Sequence, residues 1–212
     1  MQRLIIIGAR GFGRQIFYHA KQCEGFDKIY SIGGFLDDKK DAIPNTKVYP
    51  PILNSVEDYE VQRDDLFICA LGDSKQKKIY IDKILAKGGC FTSLVHPTAI
   101  IDIAFHTIKR GTIIRANAVI GCDVSIGEFV TIQPFAFIGH DSQIGAYCQI
   151  NGHSFMGGFS KMGDGATLHT GAKLLSNKQI GEWAIVGAGG VVLHNIPAEA
   201  TAVGVPTRII KK

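Results

Sequence analysis

From residue 108 onward an aliphatic side chain or methionine returns at every sixth position. The series runs Ile108, Ile114, Ile120, Ile126, Ile132, Ile138, Ile144, Ile150, Met156, Met162, Leu168, Leu174, Ile180, Val186, Val192. Glycine often follows directly, as at Gly121, Gly127, Gly139, Gly145, Gly157, Gly163, Gly181 and Gly187. Four places past the aliphatic stands a small or β-branched residue (Thr112, Ala118, Val124, Ser142, Cys148, Ala166), with Lys178 the exception. A period of six matches neither a helix nor a plain strand. It fits a parallel β-helix in which each hexad is a short strand plus a turn and three hexads close one coil. The fifteen hexads then make five coils, and residues 18 apart stack at the β-sheet spacing of about 4.8 Å. The large aliphatic fills the interior, the small residue fits where the wall bends, and glycine is expected to accept the turn dihedrals. Val95-His96-Pro97-Thr98-Ala99-Ile100 reads as an irregular lead-in.

The first 95 residues have a different rhythm. Arg3 to Ile7 is a buried strand, followed by the turn Gly8-Ala9-Arg10-Gly11-Phe12-Gly13 and a helical stretch from Arg14 to Cys23. Ile29 to Leu36 is a second strand ending in Asp37-Asp38. A connection with Pro44, Pro50 and Pro51 leads to a third strand, Asp65 to Gly72. Ser74 caps a helix reaching Lys87, and Phe91 to Val95 is a last strand. Alternating strands and helices predict a small Rossmann-like parallel α/β sheet. The chain thus divides into a 1–95 α/β domain and a 96–212 β-helix domain with a C-terminal tail.

Composition narrows the chemistry. Of 212 residues 46% are hydrophobic and 20% charged, so the chain can bury a core. A net charge of +4, with no block of like charges, gives no reason to expect a nucleic-acid partner. Five cysteines (Cys23, Cys69, Cys90, Cys122, Cys148) without a C-x-x-C pair suit reduced thiols in a cytoplasmic protein. The apolar run Leu4 to Ile7 ends at Gly8, too short for a membrane span or a signal-peptide core.

The glycine turn after the first strand places backbone N–H groups at a helix N-terminus, a seat for phosphate. Its spacing is G-x-x-G-x-G, and Asp37 stands where a dinucleotide fold holds a ribose hydroxyl. So short a domain lacks a second mononucleotide half, so a single nucleotide or nucleotide sugar fits better than a nicotinamide cofactor; a tight turn with solvated acids fits too. In Ile138-Gly139-His140-Asp141 a turn can present an imidazole beside a carboxylate, suited to take a proton near neutral pH. Gly158, 18 residues on, should stack one coil away and offer a backbone N–H. The alternative is plain coil surface. His140, His153 and His169 are 13 and 16 apart, which neither stacks them nor gives a short zinc pairing. Cys148 takes a small inward position. Trp183 and the Phe129, Phe135, Phe137 group read as subunit-rim contacts or as simple coil exterior.

Several motifs in order resemble one family. They are Ile6 to Gly13, Phe35-Leu36-Asp37-Asp38, Ala70-Leu71-Gly72-Asp73, Leu94-Val95-His96-Pro97-Thr98-Ala99, Gly139-His140-Asp141, Val186-Gly187-Ala188-Gly189 and Val203-Gly204-Val205-Pro206-Thr207-Arg208. The chain resembles, over nearly its whole length, bacterial hexapeptide-repeat sugar acetyltransferases of the sialic-acid O-acetyltransferase and nucleotide-amino-sugar N-acetyltransferase type. The resemblance, and not the spacing, implies that the β-helix is left-handed, against the usual crossover rule. It implies a homotrimer with acetyl-CoA as acyl donor lying between neighbouring subunits, no metal, and a role in surface-polysaccharide biosynthesis. By resemblance His140 is the general base and Asp141 the acid that raises its basicity. The Gly158 N–H holds the thioester oxyanion, and Thr170 and Ala188 line the CoA arm with it. Arg10, Gly11, Phe12, Asp37, Asp38 and Gly72 hold the nucleotide-linked sugar or sialic acid.

Three departures touch the acceptor and CoA contacts: Ile132-Gln133-Pro134 stands for I-N-T, Gln149 for a His nine residues after the base, and Asp141 for the Glu of some members. Two rival readings are a zinc hydratase of the same coil architecture and a trimeric scaffold that binds a nucleotide sugar without catalysis.

Overall fold

The computed structural model describes residues 1–44, 47–102 and 107–211. Residues 45–46 of the proline-bearing connection and Lys212, the end of the second domain span, lie outside the described residues. Contacts divide the chain into Met1–Leu94 and Val95–Lys212.

The first unit is a five-stranded parallel sheet with two helices. Its strands are β1 (Gln2–Ile7), β2 (Tyr30–Leu36), β3 (Ile52–Asn54), β4 (Asp65–Cys69) and β5 (Cys90–Phe91), in the order β3-β2-β1-β4-β5. Helices α1 (Gly11–Gln22) and α2 (Ser74–Ala86) supply the crossovers after β1 and β4. β1 is central, so Leu4 to Ile7 are buried, as a parallel strand covered on both faces must be. The sheet order reverses at β1, and Gly8, Asp37 and Ala70 follow the carboxyl ends of β1, β2 and β4. That edge is where open α/β sheets hold ligands.

Several boundaries differ from the sequence reading. β3 has only three residues and follows two prolines, too short to show any alternation. α1 begins at Gly11, because the chain turns helical directly after Arg10 and puts Gly11 to Gly13 in its first turn. Asp73, and not Ser74, caps α2: its carboxylate accepts from the Gln76 N–H at 2.8 Å. The expected last strand is two, Cys90–Phe91 in the first sheet and Leu94–Val95 in the second unit's eight-stranded sheet.

Gly13 is fixed by a close approach. A Cβ there would lie 1.7 Å from the Gly8 carbonyl oxygen, so α1 seats on the end of β1 only without a side chain. Gly11 has open space where its Cβ would be. Gly13→Ala is therefore expected to lose about 2–3 kcal/mol in urea unfolding. Gly11→Ala, in the same helix turn, should be neutral or slightly stabilising. Equal stability of the two variants would contradict this packing.

The second unit is a left-handed parallel β-helix. Two-residue strands stack with partners 18 apart: Val119–Ile120 on Phe137–Ile138, and that pair on Phe155–Met156. The described strands form three sheets, and the aliphatic ladder from Ile114 to Val192 fills the interior almost without exposure. Each such side chain contributes roughly 1.5–3 kcal/mol by leaving water. Among the described residues no helix is long and apolar enough to cross a membrane.

The glycines after the aliphatic have another reason than turn dihedrals. The left-handed backbone falls three places past the aliphatic, at Asp123, Phe129, Phe135, Asp141, Tyr147, His153 and Phe159 with φ of 55–61°. Gly139 instead lies where its Cβ would meet the Gly158 nitrogen at 2.6 Å, and Gly157 where it would meet the Ser176 nitrogen at 2.5 Å. Successive coils approach too closely there for a side chain. The bulky residues tolerated in left-handed backbone stack between coils, Phe129 on Tyr147 at 5.4 Å and Phe135 on His153 at 5.0 Å. Phe129 is buried in such a stack, so it is not a rim residue; Phe135 and Phe137 are exposed.

Candidate active site

In the β-helix unit, His140 and Asp141 follow the strand Phe137–Ile138 at one corner. Asp141 adopts φ 55°, which turns its carboxylate back beside the preceding residue. His140 Nδ1 lies 2.7 Å from Asp141 Oδ2. A carboxylate only accepts, so Nδ1–H is the donor and the neutral ring carries its lone pair on Nε2. Nε2 points over the next coil: a Cβ on Gly158 would lie 2.7 Å from it and 2.8 Å from Cε1. Gly158 is thus the one residue type that lets the imidazole lie against the backbone. No acceptor among the described residues takes the Gly158 N–H, whereas the neighbouring Phe159 N–H donates to the His140 carbonyl at 3.0 Å.

Two further contacts hold this corner. Phe159 meets the imidazole edge-on with ring centroids 5.1 Å apart, a contact that sequence reasoning missed because its only signal is the 18-residue spacing from Asp141. Beneath the turn, the buried Ser142 hydroxyl donates to the Gly157 carbonyl at 3.2 Å and so fixes the peptide next to Gly158. Cys122 lies one coil before His140, its carbonyl accepting from the Asp141 N–H. Burial, Asp123 and Asp102 hold its thiol above the ordinary range, which disfavours the thiolate a nucleophile needs. The His140 and Asp141 side chains remain 55% and 39% exposed in the single chain.

Thr170 and Ala188 are not beside His140 within one chain. They follow Thr167–Leu168 and Ile185–Val186 of the eight-stranded sheet, while His140 and Gly158 follow strands of the six-stranded sheet. They stack with each other, the Gly189 N–H donating to the Thr170 carbonyl at 3.0 Å, and both are exposed. Of the histidines weighed for zinc, His153 stacks on Phe135 and His169 Nδ1 lies 3.2 Å from the Asn151 side-chain amide. Among the described residues no group of three or more His, Cys, Asp or Glu is placed to hold a metal ion. Gln149, expected as a departure from a His at this place, is buried, with its amide 3.3 Å from Asn151 Oδ1.

In the α/β unit, a cleft of about 390 Å³ opens at the carboxyl ends of β1, β2 and β4. Arg10, Phe12, Asp37, Asp38 and Gly72 line it, so five of the six expected substrate residues converge; Gly11 does not line it. The two acids differ. Asp37 is nearly buried, and its oxygens accept from the Ala9 N–H and the Lys39 N–H, both at 2.9 Å. It pins the glycine turn, with the Arg10 guanidinium 4.0 Å away. Asp38 is exposed, and one of its oxygens accepts from the Tyr80 hydroxyl. That bond, with burial and the nearby Asp37 charge, pushes the Tyr80 phenol up to about 12. α1 starts without a side-chain cap, so its first-turn N–H groups lack acceptors within the helix, as an anion seat requires. Gln76 and Tyr80, one turn apart on α2, also line the cleft; their i, i+4 spacing is the signal the sequence held for them.

Residues 3–84 match the PglD N-terminal domain family, and residues 105–140 and 123–158 match the bacterial transferase hexapeptide (six repeats) family. A serine acetyltransferase of Buchnera aphidicola is 57% identical over 42 residues, 20% of this chain and 16% of that protein. Its Escherichia coli counterpart is 52% identical over 42 residues, 15% of its length, so the chain spans only a small part of these curated relatives. Solved structures match throughout. PerB from Caulobacter crescentus, in complex with CoA and GDP-perosamine, has TM-score 0.88 and 25% identity over 99% of this chain and 97% of that one. The acetyltransferase domain of PglB from Neisseria gonorrhoeae, in complex with acetyl coenzyme A, has TM-score 0.86 and 22% identity over 99% of each chain. The second likeness is one of fold.

Proposed function

From a chain that joins a PglD N-terminal domain to bacterial transferase hexapeptide repeats, we propose an acetyl-CoA-dependent acetyltransferase acting on an amine or hydroxyl of a nucleotide-linked bacterial sugar. The observation that carries this reading is the corner where His140 Nε2, oriented through Asp141, lies against the bare backbone of Gly158. The likeness to PerB, solved with CoA and GDP-perosamine, supports both the donor and the acceptor class.

The acceptor amine or hydroxyl attacks the thioester carbonyl carbon directly. His140 Nε2 removes the acceptor's proton as the new C–N or C–O bond forms, and Asp141 stabilises the imidazolium through Nδ1–H. The carbonyl oxygen gains negative charge, which the Gly158 N–H stabilises; a backbone donor of this kind contributes about 3 kcal/mol. Collapse of the tetrahedral intermediate breaks the C–S bond, and the imidazolium returns its proton to the leaving sulfur. The products are the acetylated sugar and CoA thiol.

The donor arm assigned to Thr170 and Ala188 stands at a different corner from the base, and the base is half-open to water. A homotrimer reconciles these facts: a neighbouring copy brings its Thr170 corner to this chain's His140 and covers the site. The cleft near Asp37 and Asp38 then holds the nucleotide, with its diphosphate on the α1 N-terminus and Arg10. The zinc hydratase reading has no observation in its favour, and a scaffold has no use for an oriented imidazole against a bare N–H.

Incubation with acetyl-CoA and a panel of UDP-, dTDP- and GDP-linked amino sugars plus sialic acids tests the assignment. Mass spectrometry is expected to find one acetylated acceptor. Hydroxylamine then separates a labile ester from a stable amide. Binding of both substrates without any acetylated product would favour the scaffold instead.

A further inference from the structure

We infer that the buried Ser142 hydroxyl positions the oxyanion donor: by holding the Gly157 carbonyl inside the coil, it aims the Gly158 N–H outward at the reacting carbonyl. This rests on the proposed acetyl transfer, with Gly158 as the donor.

Ser142 and Ser160 are both fully buried, 18 residues apart in the small inward position of successive coils. Ser142 Oγ lies 3.2 Å from the Gly157 oxygen and 3.3 Å from Ser160 Oγ. A carbonyl only accepts, so the single Ser142 proton goes to Gly157. The Ser160 hydroxyl is therefore the donor between the two serines, and the relay runs from Ser160 through Ser142 to Gly157. Engaged at both its proton and its oxygen, the Ser142 hydroxyl is held in one orientation.

The Gly157 carbonyl and the Gly158 N–H belong to one trans peptide, so they point in opposite directions. An oxygen drawn inward to Ser142 leaves the N–H directed outward, on the side where the imidazole lies against Gly158. Neither glycine has a side chain that could pin this peptide instead. Accepting at the oxygen also polarises the peptide, and hydrogen bonds in series strengthen one another by about 10–30% each. Ser142 faces the interior and meets no substrate. It acts through the peptide, as a positioning residue.

The same bond occurs away from the His140 corner. Thr112 Oγ1 donates to the Gly127 carbonyl at 3.4 Å and Cys148 Sγ to the Gly163 carbonyl at 3.1 Å, each across 15 residues as at Ser142. Both follow strands of the second unit's five-stranded sheet, Thr107–Ile108 and Gln143–Ile144. The bond is thus a device of the coil, and what sets Ser142 apart is the peptide it holds. The series also shows which side chains the slot takes: Thr and Cys donate from it, and Ala fills it at Ala136 and Ala166.

Steady-state kinetics of the intact chain test the proposal, with acetyl-CoA and the acceptor identified from the panel of nucleotide-linked amino sugars and sialic acids. Ser142→Ala is expected to lower kcat about tenfold, part of the 10²- to 10³-fold that removing such a donor costs. KM for acetyl-CoA should stay within about twofold, because the bond to the oxyanion strengthens only in the transition state. The pH profile of kcat/KM should not move, since His140 keeps its bond to Asp141. Ser142→Thr restores a hydroxyl and should hold kcat within about threefold of wild type. Cys148→Ala loses the same kind of bond beneath another peptide and should leave kcat within about twofold. Wild-type kcat in Ser142→Ala, Ser142→Thr as slow as Ser142→Ala, a shifted pH profile, or equal slowing in Cys148→Ala would each overturn the proposal while leaving the acetyltransferase standing. Wild type that acetylates nothing in the panel would remove that reading and this one together.

Discussion

His140→Ala is expected to lower kcat for acetyl transfer by about 10²- to 10⁴-fold, the range typical for loss of a positioned general base. KM for acetyl-CoA should change little, because Nε2 acts on the acceptor's proton in the transition state and not on the bound donor. The side chain is more than half exposed, and its polar contact is to the adjacent Asp141, so the core and the coil stacking do not depend on it. The variant should therefore melt where wild type does and sediment identically. Added imidazole, which can fill the volume the lost ring leaves, should restore part of the lost rate. Unchanged turnover in a folded variant would remove His140 from the chemistry.

Gly158→Ala should be nearly as damaging, for a different reason. Its Cβ would stand 2.7 Å from Nε2 and 2.8 Å from Cε1 of His140, closer than van der Waals contact allows. The imidazole, a side chain at a turn and not part of the core, can swing off the Gly158 backbone, so the cost falls on geometry more than on stability. Swinging away breaks the bond to Asp141 and carries Nε2 off the Gly158 N–H. A displacement of about 1 Å at a reacting group can cost about 100-fold, so kcat should fall by at least that much. Thermal unfolding should shift by only a degree or two, roughly what a ΔΔG under 1 kcal/mol produces at this chain length. Normal turnover in Gly158→Ala would mean that the ring and the glycine do not work as one unit. Serine at this position should behave the same way, since the clash arises at Cβ.

The β-helix was legible because its order is periodic. Ile114 to Val192 repeat so regularly that the interior, the 18-residue stacking and the small inward positions, Ser142 and Cys148 among them, follow from spacing. Gly139 and Gly157 show the limit of that logic. Their recurrence is visible in the sequence, but the cause is the closeness of the next coil, which one chain position cannot reveal. The turn residues in left-handed backbone were invisible, because Phe129, Tyr147 and Trp183 are chosen for what they stack on one or two coils away and not for local propensity.

In the α/β unit, alternating strands and helices were readable, but the three-residue β3 carries too little pattern to stand out. The Asp37-Asp38 pair marked the cleft, yet which acid faces a ligand depends on Ala9 and Lys39 taking Asp37. Tyr80 reaches Asp38 across 42 residues, a contact no local pattern encodes. The candidate corner was half-legible: Gly139-His140-Asp141 gives the imidazole and its carboxylate partner, and the coil period places Gly158 against them. That Thr170 and Ala188 occupy another corner became apparent only from the sheet to which each hexad belongs.

Direct transfer between two bound substrates is the central claim, and time-resolved release of CoA thiol from acetyl-CoA, with and without the nucleotide-linked acceptor, tests it. Without acceptor no thiol should appear, because burial and the Asp123 and Asp102 charges disfavour the Cys122 thiolate that an acyl-enzyme would need. With acceptor, thiol and acetylated sugar should rise together in equal amounts. A burst of thiol before acceptor is added, equal to the enzyme present, would mean an acyl-enzyme and would contradict the account.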